Sequence, residues 1–83
     1  MNIKRRVIMN NLLEVTFHDW IEFDYVNWRG EKGHRRTEVN MLYFGSTEYH
    51  PEEQWLLDGF DLDKSDFRTF AMKDMSNVKI IER

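Results

Sequence analysis

The stretch Trp20-Ile-Glu-Phe-Asp-Tyr-Val26 decides the fold. Its apolar residues recur at every second position, with Ile21, Phe23 and Tyr25 on one side and Glu22 and Asp24 on the other. Side chains of an extended chain alternate between two faces, so this is the pattern of a half-buried strand. Directly after it, Asn27-Trp-Arg-Gly-Glu-Lys-Gly33 holds two glycines and an asparagine, residue types that tolerate a tight reversal. A hairpin is expected, with the chain returning over His34 to Asn40 and continuing or bending into Met41-Leu-Tyr-Phe44.

Further along, Gly45 to Pro51 reads as a loop and Gln54 to Phe60 as a central strand, with Gly59 marking a bulge or a sharp bend. Asp61 to Asp66 is a polar turn, Phe67 to Ala71 a strand, Met72 to Asn77 a short helical turn, and Val78 to Ile81 a last strand. Towards the N-terminus, Asn10 to His18 is expected to be helical. Asn10 or Asn11 can cap it, Glu14 echoes a capping box, and Ile8, Leu12, Val15 and Phe17 would share one face. The expectation is a mainly β protein, a small antiparallel barrel of about five strands with a short N-terminal helix, because closing a sheet removes its exposed edges. Residues 1–9 are expected to be a flexible N-terminal segment and residues 10–83 a single domain.

The 83 residues suffice for one domain and one thin core, and 14% of them are aromatic, enough to supply much of that core. There is no cysteine, which excludes disulfides and thiolate metal sites and fits a reducing compartment. No long apolar run follows Lys4-Arg5-Arg6, so neither a signal peptide nor a membrane partner is expected, and the reading is cytoplasmic. Net charge is −3, but it is unevenly spread. Arg29 to Arg36 holds four basic residues against Glu31, whereas Glu48 to Asp66 holds seven acids against Lys64. Two readings stay open: an ordinary solvated surface, or one edge suited to an anionic ligand and another suited to a basic partner.

Catalysis finds no motif. His18, His34 and His50 are widely spaced, Ser46, Ser65 and Ser76 lack a nucleophile elbow, and no Gly-Lys-Ser/Thr follows Gly30 and Gly33. The carboxylates of Glu52/Glu53 and Asp61/Asp63/Asp66 flank turns, where backbone chemistry alone explains them. Neither an enzyme nor a cofactor is expected. More informative are two arginines within strands: Arg35 alternates with Thr37 and Val39, and Arg68 with Phe70. A guanidinium beside an apolar sheet face is either paired internally, here with Glu22, Asp24 or Asp58, or left for an anionic partner. Trp28 at the hairpin tip is the aromatic least suited to the core; it either stacks on a base or covers the barrel mouth.

The order of these pieces resembles a WYL domain, an Sm/SH3-like barrel of bacterial and phage regulators. The matching stretches are Ile21-Glu-Phe-Asp-Tyr25 with Asn27-Trp-Arg-Gly30, then Arg35-Arg-Thr-Glu-Val39, Gln54-Trp-Leu-Leu57-Asp-Gly-Phe60 and Phe67-Arg-Thr-Phe70-Ala-Met-Lys-Asp-Met75. Leu56 stands where the family has its name-giving tyrosine, and Val39 replaces a proline. Phe44 to Pro51 resembles a subgroup of short freestanding members without a helix-turn-helix. The resemblance implies a regulatory module sensing single-stranded nucleic acid or a nucleotide-type anion. It implies a site of Tyr25, Arg35 and Arg68 with Trp55 as apolar support; Trp28, Arg29 and Arg36 are expected beside it as accessory contacts. The competing expectation is a small phage or mobile-element protein that docks on a host factor or self-associates as a homodimer. Its acidic Glu48–Asp66 stretch would carry the contact.

Overall fold

The computed structural model describes residues 15–81. They form one antiparallel sheet of five strands: β1 (Trp20–Val26), β2 (Lys32–Gly45), β3 (Gln54–Asp61), β4 (Asp66–Ala71) and β5 (Met75–Ile81). The spatial order is β4-β3-β2-β1-β5, so β4 and β5 are the two edges and are not paired to each other. A single 3₁₀ turn, Met72–Asp74, carries the chain from one edge to the other.

The alternation in β1 is realised residue for residue, with Ile21, Phe23 and Tyr25 buried and Glu22 and Asp24 half-buried. Its hairpin is tightened by Asn27, whose Oδ1 accepts from the backbone N–H groups of Arg29 and Glu31 at 2.9 Å each. Gly30 supplies the left-handed residue, φ +79°, that a short loop of this kind needs. β2 therefore begins at Lys32, two residues before the expected start, and spans 14 residues.

One bulge interrupts that run. Val39 lies opposite Gly59 and Met41 opposite Asp58, which leaves Asn40 without a partner on β3. Gly59 marks the place, although the extra residue is on the facing strand. A Cβ at Gly59 would strike the Thr37 methyl and lie 2.7 Å from the Glu38 carbonyl oxygen, so only glycine allows β2 and β3 to approach this closely.

The core joins Ile21, Phe23 and Tyr25 to Val39, Leu57, Phe70 and Val78. Phe70 packs edge-on against Phe23 at 5.1 Å and against Tyr25 at 5.0 Å between ring centroids. β1 and β4 are three strand spacings apart in the sheet, which is about 14 Å if the sheet were flat. Yet the Tyr25 hydroxyl accepts a hydrogen bond from the Ala71 backbone N–H at 2.9 Å, further than tyrosine could reach across a flat sheet. The sheet is therefore strongly curled around this aromatic trio.

The helix expected over Asn10–His18 is not present in its described part; its residues 10–14 lie outside the described residues, as does the segment 1–9. Thr16-Phe17-His18-Asp19 is a turn. The Asp19 carboxylate accepts from both the Thr16 N–H (2.9 Å) and its hydroxyl (3.1 Å), and His18 takes a left-handed φ of 72°. His18 N–H also bonds the Val39 carbonyl and Val39 N–H the Asp19 carbonyl, which pins the turn to β2. An aspartate side chain competing for local backbone donors in this way ends a helix rather than extending it. The helical turn expected over Met72–Asn77 is shorter than read, since Met75 already belongs to β5. Among the described residues no helix is long and apolar enough to cross a membrane.

Candidate functional site

A cleft of about 570 Å³ opens where the β1–β2 hairpin, the β2–β3 loop and β4 converge. Arg35, Arg68, Tyr25 and Trp28 all line it, so four of the residues singled out in the sequence meet in one place.

Each arginine has a glycine beside it or opposite it. Arg35 lies on β2 opposite Phe23, and its guanidinium folds back over Gly33, where a Cβ would come within 3.1 Å of Nη1. Arg68 lies on β4 directly opposite Gly59, which lines the cleft beside it. Among the described residues neither guanidinium has a carboxylate at ion-pair distance. Of the acids that could have paired with them, Glu22 and Asp24 are engaged elsewhere, and Asp58 lies in the cleft but is held by two hydroxyls. Glu22 and Asp24 each contact a ring nitrogen of His34 at 3.1 Å, and Asp24 also accepts from the Asn77 amide at 2.8 Å. Asp58 accepts from the Thr69 hydroxyl at 2.6 Å and from the Tyr43 hydroxyl.

Three aromatic rings stand exposed around the arginines: Trp28 (85% exposed), Tyr49 (82%) and Phe67 (68%). Tyr49 is held out by its own loop. The Thr47 hydroxyl accepts from the N–H groups of Tyr49 and His50, and Thr47 and His50 exchange backbone hydrogen bonds. Phe67 leans edge-on against Phe60 at 5.0 Å. Arg29 stacks its guanidinium 5.1 Å from the Trp28 ring centroid, which adds positive charge at the rim.

Tyr25 belongs to the buried floor. Burial pushes its phenol above the ordinary range, opposed by the Ala71 N–H and by the charge of Arg35. The hydroxyl thus stays protonated at neutral pH and, having accepted from Ala71, keeps its own hydrogen to donate. Asn40, the bulged residue, also lines the cleft with no hydrogen-bond partner for its amide among the described residues. A bulge re-aims a side chain in this manner.

Two expected contacts lie elsewhere. Trp55 is outside the cleft lining and packs edge-on against Phe44 at 5.6 Å. Arg36 points to the other face of β2 from Arg35 and pairs with Asp63 at 3.6 Å. Conversely, the sequence reading missed Asn40, Tyr49 and Phe67. Only Tyr49, an aromatic in a polar loop, carried a signal that could have found it.

Among the described residues no group of three or more histidine or carboxylate side chains is arranged to hold a metal ion. The groups lining the cleft are the two arginines, hydroxyl and amide groups, exposed ring faces and one carboxylate, Asp58, whose oxygen accepts from Thr69 and Tyr43; two cations against one acid leave the set suited to a flat, anionic, partly aromatic ligand. No protein-family model matches the sequence, and no curated protein matches it significantly.

Proposed function

We propose that this chain is a non-catalytic, WYL-like binding module whose cleft takes single-stranded nucleic acid or a nucleotide-type anion. The observation that carries the reading is the pair of guanidinium groups, Arg35 and Arg68, that have no ion-pair partner among the described residues and are framed by the exposed rings of Trp28, Tyr49 and Phe67. Binding of single strands combines a positive path for phosphates with aromatic faces for bases, and stacking contributes roughly 1–3 kcal/mol per base. Arginine forks match phosphate oxygens two at a time. Asn40 and the Tyr25 hydroxyl then offer polar contacts to a base edge or a sugar.

The fold proposed with this function is a small Sm/SH3-like barrel. The strand order β4-β3-β2-β1-β5, the 3₁₀ turn between the edge strands, and the curl that brings Tyr25 to Ala71 support it.

The test is a titration of labelled single-stranded oligonucleotides at two ionic strengths. Two phosphate contacts on a single strand predict a roughly sevenfold loss of affinity for a fourfold rise in salt. An Arg35→Ala, Arg68→Ala double variant is expected to abolish the salt-sensitive part. Salt-independent binding, or full affinity in the double variant, rejects the reading.

A further inference from the structure

The outer end of the β2–β3 hairpin is built differently from the rest of the sheet. β1 pairs with β2 only as far as Glu38, and β4 pairs with β3 only from Leu56 onward. Beyond those points, among the described residues, β2 and β3 form a two-stranded arm with no further strand paired on either side. At its end Phe44 and Trp55 are direct cross-strand partners, rings 5.6 Å apart and 70° to one another, each 55% exposed. Leu42 and Leu57 pair two residues further in and pack in the core, so alternation puts Phe44 and Trp55 on that same face, one step past where the core ends.

The loop beyond this apolar step carries charge of one sign. Residues 46–53 hold three carboxylates and no lysine or arginine. Glu48, Glu52 and Glu53, in the loop that closes the arm, are exposed and have no basic group at ion-pair distance among the described residues. A second copy docking here by two-fold symmetry would set like charges against like, which disfavours it. We propose that the Phe44–Trp55 face docks a basic segment of a partner protein, one that places aliphatic or aromatic side chains on the two rings and Lys or Arg against the surrounding carboxylates. Neither ring lines the arginine cleft, so the two sites are separate.

Two short peptides test this by calorimetry, one alternating lysine with leucine and one alternating glutamate with leucine. The lysine peptide is expected to bind and the glutamate peptide not to. A Phe44→Ser, Trp55→Ser double variant with unchanged melting temperature should weaken binding by about tenfold or more, the usual scale for losing an aromatic anchor. A Glu52→Lys, Glu53→Lys variant alters only exposed loop residues and should weaken it similarly, which keeps the test valid if the aromatic variant unfolds. Failure of the lysine peptide to bind, equal binding of both peptides, or undiminished affinity in either variant overturns the proposal. So does light scattering that shows a wild-type dimer dispersed by the aromatic double variant, since a second copy would then occupy the face.

Discussion

Tyr25 stands where the core meets the cleft: its ring packs on Phe23 and Phe70, and its hydroxyl caps the Ala71 N–H at the end of an edge strand. Tyr25→Phe keeps the packing but leaves a buried N–H unpaired, a loss of about 1–3 kcal/mol. Urea unfolding should show this as a lower midpoint at unchanged slope; an unaltered midpoint would mean that the bond contributes nothing. Gly59 is constrained more severely. In Gly59→Ala the new methyl meets Thr37 and the Glu38 carbonyl, so β2 and β3 must separate, at about 1–3 kcal/mol. The sequence marked both residues without revealing why they matter. Alternation put Tyr25 inside, but nothing local told of Ala71, forty-six residues on. Glycine at position 59 announced a special backbone, while the close approach that requires it comes from β2.

At the scale of elements, β1 and its hairpin were legible because one buried face imposes period two and a tight loop demands Asn and Gly. In the described part of the segment before β1, residues 15–19, the structure departs from the expected helix because apolar spacing compatible with a helix is equally compatible with a turn, and Asp19 tips the balance by taking the Thr16 N–H for itself. On the solvent side of β1 and β2 a small charged cluster makes stability depend on pH. Hydrogen bonds to Asp24 and then to Glu22 hold His34 above its ordinary value of 6.5. The Asn77 amide first, then His34, holds Asp24 below its ordinary 3.8. The His34 contribution is complete below pH 6.5 and is lost as pH rises through its higher folded value. The Asp24 contribution is complete above pH 3.8 and is lost as pH falls through its lower folded value. The melting-temperature difference between the wild type and His34→Gln should therefore be largest between these limits and shrink above pH 6.5. A difference that stays constant across that range would contradict the assignment.

Over the whole molecule, the curl of the sheet brings together residues that the sequence keeps far apart. Arg35 and Arg68 reach one cleft from β2 and β4; Glu22 and Asp24 are engaged by His34 outside it, and Asp58, inside it, is held by the Thr69 hydroxyl and not by a guanidinium. That outcome could not be read from sequence, where pairing and non-pairing looked alike. The rim aromatics were less legible still, because the position of Tyr49 depends on the Thr47–His50 turn and that of Phe67 on where β4 begins. Charge is divided too: Arg35 and Arg68 line the cleft, whereas the exposed Glu48, Glu52 and Glu53 sit in the loop that closes the β2–β3 arm. The most direct measurement is amide and indole chemical-shift mapping during titration with a short single-stranded oligonucleotide. The account predicts shifts confined to Trp28, Arg35, Asn40, Tyr49 and the Phe67–Phe70 stretch, with Phe44 and Trp55 unmoved. Shifts centred on the Phe44–Trp55 arm, or none at low salt, would contradict it.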